Sequence, residues 1–172
     1  MNNGFILWTT GYSGSGKTTI TTKLEEIFKS SGNKVEVLDG DILRTIFKNT
    51  GFSKEDRDEH IKRVGFLAHL LARNGVIVLT ATISPYKAVR DELKKYPNFI
   101  ELFIDCPLEE CIKRDVKGLY KKAIAGEIGQ FTGISDPYEP PTNADLTVHT
   151  DKETLEESIE KVLHFLKHKE LI

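Results

Sequence analysis

Residues 11–18 read "GYSGSGKT". The spacing is G-x-x-x-x-G-K-[S/T], that of a loop whose backbone N–H groups wrap the phosphates of a nucleotide. Its glycines permit the backbone angles that aim N–H groups inward. Lys17 has the reach to meet β- and γ-phosphates, and the Thr18 hydroxyl suits Mg²⁺. A chance match in a chain of this length has odds of about 1 in 200. The flanks agree with a true match. "FILWTTG" (5–11) before it is a short apolar, β-branched run that reads as a buried strand. "KTTITTKLEEIFKSSG" after it spaces Ile20, Leu24, Ile27 and Phe28 as a helix does, and Gly32 ends it. Gly11, Tyr12, Ser13, Gly14, Ser15, Gly16, Lys17, Thr18 and Thr19 are therefore the candidate ATP-binding residues, with Mg²⁺ as cofactor.

Outward from this loop, strand and helix alternate. "KVEVLDGD", "VIVLTAT", "FIELFID" and "DLTVHT" read as four more strands. "KEDRDEHIKRVGFLAHLLARNG", "PLEECIKRD" and "TLEESIEKVLHFLKH" read as helices, with Pro107 near the start of the second. Strands apolar on both faces suit a parallel sheet covered by helices. The expected fold is α/β, a phosphate-loop kinase type of parallel sheet with helices on both faces, in one domain over residues 1–172. Only 116–143 breaks the rhythm. It begins as the basic helical piece "KGLYKKAIAGEI" and ends in "GQFTGISDPYEPP", dense in turn formers yet carrying Phe131 and Tyr138. A segment of that length without regular structure predicts a lid.

The composition narrows the partners. Among 172 residues, 39% are hydrophobic and 29% charged, and the net charge is −2. That balance gives no bulk electrostatic grip on nucleic acid or a membrane surface. No apolar run approaches the roughly 18 residues of a membrane span, and no signal-like segment is visible, so the expected place is the cytoplasm. Cys106 and Cys111 match no zinc spacing and read as two reduced, partly buried thiols.

Nucleotide binding alone does not name a reaction. "LDGD" closes the second strand, at the edge where ligands of open α/β sheets sit. If that strand persists, Asp39 and Asp41 point the same way. One carboxylate can take a proton from an attacking hydroxyl while the other helps hold Mg²⁺ or its waters. A plain D-G turn explains the same letters equally well.

Longer blocks separate those alternatives. "DGDILR", "GFSKEDRDEHIKRVG", "TISPY" and "RDVKGLYKKAIAGEIGQFTGISDPYEPP" resemble, in order, motifs of the adenylylsulfate kinase family. The resemblance spans residues 11–150. It implies transfer of the γ-phosphate of ATP to the 3′-hydroxyl of adenylyl sulfate, in sulfate assimilation, and a homodimer.

The resemblance also implies roles by position. Asp41 orients or deprotonates the 3′-hydroxyl, and Asp39 partners the Mg²⁺ waters or lies behind them. Arg44 and Arg57 hold the phosphosulfate, Lys117 faces the acceptor, and Arg114 packs on the ATP base. Phe52 and Phe131 hold the acceptor's adenine between two rings, with Gln130 beside them. Ile83 and Ser84 contact substrate. Ser84 matches a serine implicated in taking phosphate itself, although in-line transfer needs only positioning and neutralised charge. Ser84 also suits an N-cap for a helix beginning at Pro85. Two letters depart from the family pattern, Ile42 and His60, each where an Asn is usual. Neutral imidazole donates and accepts one hydrogen bond each, as an amide can, so His60 is kept as an acceptor-binding residue. Rival readings are a gluconate- or shikimate-type kinase, which would not need the two phenylalanines, a nucleotide-gated switch without an acceptor, and a catalytically dead subunit.

Overall fold

The computed structural model describes residues 4–47 and 51–172. Its strands are β1 (Ile6–Thr10), β2 (Val35–Asp39), β3 (Ile77–Ala81), β4 (Phe99–Asp105) and β5 (Leu146–His149). Its helices are α1 (Lys17–Ser30), α2 (Gly40–Ile46), α3 (Lys54–Ala72), α4 (Lys87–Leu93), α5 (Leu108–Arg114), α6 (Leu119–Ile124) and α7 (Leu155–His168). The five strands form one sheet in the order β2-β3-β1-β4-β5, and every pairing is parallel. The chain steps from β1 out to β2 on one side and later crosses to β4 on the other. Such a reversal opens a crevice beyond the carboxyl ends of the central strands.

The period of two along β1 divides the core. Phe5 and Leu7 face α1 and α7, packing with Ile20, Leu24, Val162 and Leu166. Ile6 and Trp8 face α3 and α4, packing with Ile61, Val64, Val89 and Leu93. All five β1 residues are buried, as the unbroken apolar run requires. Two of the long helices, one on each face of the sheet, start on capping boxes, Ser53 with Asp56 for α3 and Thr154 with Glu157 for α7. Both cysteines are free and buried. Among the described residues, no helix is long and apolar enough to cross a membrane.

Two local expectations change. The second strand stops at Asp39, and Gly40–Ile46 forms α2 instead of continuing it. Asp39 turns the chain by capping that helix, its side chain accepting from the amides of Asp41 and Ile42. Asp41 therefore lies in a first helical turn, not on a strand. Ser84 caps no helix, since α4 begins at Lys87 after Tyr86. Segment 116–143 carries α6 in its basic helical piece, as expected, and after it a single bridge between Thr132 and Asp136.

Candidate active site

The phosphate loop follows β1 directly. Gly11 has φ 152°, and a Cβ there would meet the Ile104 carbonyl oxygen at 2.5 Å, so no other residue fits. Gly16 caps α1 in a left-handed conformation (φ 102°). Lys17 is 9% exposed, and its ammonium donates to the carbonyls of Gly11 (2.9 Å) and Tyr12 (2.6 Å). Burial lowers its pKa to about 8, against the opposing pull of charges that include Asp41 and Asp39. Thr18 and Thr19 are exposed in the first turn of α1. Behind the loop, Thr150 donates to the Ser15 carbonyl (2.7 Å) while Arg114 donates to the Thr150 carbonyl (2.8 Å).

Facing the loop is a second wall built by α2 and α3. Asp39 Oδ1 takes the amides of Asp41 (2.8 Å) and Ile42 (3.1 Å), so its other oxygen remains for solvent or a ligand. Asp41 is exposed and pairs with Lys117 at 2.8 Å. Arg44 donates to the Gly51 carbonyl and lies 4.8 Å from the Phe52 ring centre. The Arg57 guanidinium lies 5.8 Å from the centre of the same ring. His60 is 2% exposed, and its Nε2 meets the Gly40 carbonyl at 3.0 Å. That carbonyl can only accept, so Nε2 carries the proton. Burial lowers the His60 pKa, with Arg44 adding to the effect.

The two walls enclose one cleft of about 560 Å³, lined by Ser13, Gly14 and Gly16 to Thr19 of the loop and by Asp39, Asp41, Arg44, Phe52, Arg57 and His60. Ile83, Ser84, Arg114 and Lys117 line it as well. Ser84 is 1% exposed, with φ 46°, and its hydroxyl is engaged by Trp8 Nε1 (3.0 Å) and Thr82 (2.7 Å). A hydroxyl held that way is a support for the β3 loop, poorly placed to attack a phosphate.

The lid is tied down at several points. Arg57 donates to Thr132 Oγ1 (2.8 Å), to the Gln130 carbonyl and to the Phe52 carbonyl (2.8 Å). Tyr86 donates to Asp136 (2.7 Å), and the Tyr138 hydroxyl lies 2.9 Å from that of Thr10. Arg90, fully buried, bonds Glu101 (2.9 Å), the Ser84 carbonyl and the Glu139 carbonyl, joining sheet, β3 loop and lid. The turn-rich stretch thus covers the carboxyl ends of β1 and β3, with Tyr138 as its buried plug.

Gln130 and Phe131 stand apart from the expectation. Neither lines the cleft. Phe131 turns its ring into the lid's own cluster, edge-on to Tyr120 at 5.1 Å, and among the described residues no ring contact joins it to Phe52. Phe52 itself is 55% exposed at the cleft. Thr82, Asp115 and Tyr120 also line it and were not among the expected site residues. Their signal was present only as a tyrosine inside a basic stretch and a threonine beside an I-S-P motif.

Comparison with known proteins finds one family across almost the whole chain. The family model described as adenylylsulphate kinase matches residues 3–149. An adenylyl-sulfate kinase of Picosynechococcus is 58% identical over 164 residues, covering 94% of this chain and 93% of that one. One from Rippkaea orientalis is 59% identical over 161 residues, covering 92% and 89%. The solved APS kinase of Mycobacterium tuberculosis, in complex with AMPPNP and APS, superposes with a TM-score of 0.92 at 40% identity, covering 97% of this chain and 99% of that one.

Proposed function

This chain belongs to the adenylylsulphate kinase family, and from that premise we propose that it transfers the γ-phosphoryl group of ATP to the 3′-hydroxyl of adenylyl sulfate. One observation carries the reading: a single cleft has the phosphate loop on one wall and Asp41, Arg44, Phe52 and Arg57 on the other. Donor and acceptor can therefore meet in line.

In this scheme residues Gly11 to Thr19 hold the ATP phosphates, and Arg114 packs on the ATP base. Lys17 leaves its loop carbonyls for the β- and γ-phosphate oxygens and neutralises charge that builds there. Asp41 accepts the proton of the 3′-hydroxyl. The new bond forms between that oxygen and the γ-phosphorus, and the bond to the β-phosphate oxygen breaks. The products are ADP and 3′-phosphoadenylyl sulfate. Lys117, paired with Asp41 in this structure, moves to the anionic acceptor beside Arg44 and Arg57. Phe52 offers a ring face to the adenine, a stack worth about 1–3 kcal/mol. His60 and Ile83 shape the acceptor wall, with Gln130 and Phe131 added if the lid rearranges. Ser84 supports the wall without a covalent step.

Mg²⁺ fits the donor set. Thr18 presents an exposed hydroxyl, and Asp39 keeps one carboxylate oxygen beyond the two amides it caps. Bound there, the ion would offset charge on the β- and γ-phosphates. The proposal extends to a homodimer working in the cytoplasm in sulfate assimilation. Light scattering checks the dimer.

The test is ADP release with and without adenylyl sulfate, against a panel of sugar acids. Acceptor-dependent release with adenylyl sulfate alone is expected. Release without any acceptor, or with a sugar acid instead, would overturn the reading.

A further inference from the structure

Tyr120 lies in the first turn of α6, inside the lid, yet its hydroxyl ends in the phosphate loop. The ring is 1% exposed, and its O–H donates to the Ser13 carbonyl at 2.9 Å. Burial pushes the phenol well above its ordinary range, so it keeps the proton it donates. Its own backbone is fixed from the other side, because the Tyr120 amide donates to Asp115 Oδ1 at 2.9 Å. Phe131 packs edge-on against the ring. Phe131 stands between Gln130 and Thr132, the two lid residues that Arg57 grips. A continuous path of contacts therefore runs from Arg57 on the acceptor wall, through Phe131 and Tyr120, to Ser13 in the phosphate loop. Tyr12 adds a second link in parallel, its ring 4.7 Å from that of Tyr138.

We propose that Tyr120 is a positioning residue that couples the two nucleotide sites: its hydroxyl holds the phosphate loop in register with the lid, so that a bound acceptor tightens ATP binding and the reverse. This rests on the function proposed above, since it takes adenylyl sulfate as the ligand that the lid senses. The physical basis is linkage. A ligand that orders the lid also orders whatever the lid bonds, and coupling of binding between two sites is reciprocal. The Ser13 carbonyl is a backbone group of the loop itself, so a shift of α6 is transmitted without any side chain of the loop rearranging.

Tyr120→Phe tests it, because the ring and its contact with Phe131 stay while the donor is lost. The affinity of AMPPNP is measured by calorimetry with and without saturating adenylyl sulfate, in wild type and variant, after thermal melts check the fold. Wild type is expected to bind AMPPNP about fivefold tighter or more with the acceptor present, the lower end of typical coupling. The variant should show a ratio near one. An equal ratio in both proteins, or no coupling in the wild type, would overturn the proposal. Should the variant not fold, the wild type alone decides: adenylyl sulfate must slow amide exchange across Ser13–Lys17, and unchanged exchange overturns it. Turnover with adenylyl sulfate but without coupling removes this inference and leaves the proposed function standing, whereas absent turnover removes the function.

Discussion

Lys117 Nζ lies 2.8 Å from Asp41 Oδ2, joining the start of the lid to the first turn of α2. Both side chains are largely exposed, at 59% and 76%. Exposed pairs of this kind contribute about 0–1 kcal/mol to stability. The pair raises the Lys117 pKa, chiefly through the hydrogen bond to Asp41. Its small contribution is therefore complete below the ordinary lysine value and fades as pH rises through the folded one. Lys117→Met should leave the melting temperature almost unchanged and raise KM for adenylyl sulfate several-fold. An unchanged KM would mean that the lysine serves Asp41 and not the acceptor.

Lys17→Ala should nearly abolish transfer while the fold survives. The wild type offers a finer check through pH. The Lys17 pKa is lowered to about 8 by burial, and its charged form is the one that meets phosphate. So kcat/KM for ATP should fall as pH rises through about 8, because that ratio reports the free enzyme. Bound phosphates favour the ammonium, so the alkaline limb of kcat should lie at higher pH. Between about 8 and 10.5 the unfolded chain holds the proton that the native one has lost, so this group makes stability rise with pH there. Coincident limbs in the two profiles would show that Lys17 does not face the phosphates.

Asp41→Asn keeps the shape and removes the proton acceptor. It should lower kcat by about 100- to 10,000-fold and move the acceptor KM little. Steady-state kinetics with adenylyl sulfate varied decides it. A change confined to KM would make Asp41 a binding group.

Arg57 is 7% exposed and donates to three lid or loop oxygens: Thr132, Gln130 and Phe52. Arg57→Ala would leave buried acceptors without partners, at about 1–3 kcal/mol for each one that stays dry. The expected result is a clearly lower melting temperature together with faster proteolysis inside 126–143. A lid as resistant as the wild type's would mean that Tyr86 and Arg90 hold it alone.

What the sequence disclosed follows from how local each signal is. The phosphate loop, β1 and the apolar spacing of α1 are written in adjacent letters, and the structure has them in place. Helix α2 was hidden because Gly40 reads as a turn after an apolar strand, and only the Asp39 cap makes the next residues helical. The α4 helix is seven residues long, too short to show a period. Site wiring was least legible, because it joins distant letters. Arg57 meets Thr132 and Trp8 meets Ser84, pairs separated by 75 and 76 positions. One clue was available: Glu101 in the apolar run "FIELFID" demands a buried cation, and Arg90 is that partner.

His60 changes most between the two readings. Its place at the family's usual Asn suggested an imidazole that hydrogen-bonds the acceptor, where it would be free to gain a proton below its ordinary value of about 6.5. The structure instead buries it against the Gly40 carbonyl and lowers its pKa, with burial first and the Arg44 charge second. Arg63 pushes the same way, while the Gly40 hydrogen bond and Asp41 oppose. Phe47 covers the ring edge-on, and Nδ1 has no hydrogen-bond partner among the described residues. A histidine held neutral leaves the unfolded chain with more bound protons once pH drops below 6.5, so stability should fall on acidification through that window. His60→Asn removes the titration and keeps a donor for Gly40. Urea melts at pH 7 and pH 5.5 should show a smaller loss for the variant than for the wild type. The acceptor KM should keep the same pH dependence in both proteins from pH 8 to pH 6, because the imidazole is committed to the Gly40 carbonyl and its pKa is lowered, not raised. A wild-type KM that alone shifts toward pH 6 would mean that the imidazole does gain its proton beside the substrate, and the buried, neutral assignment would fail.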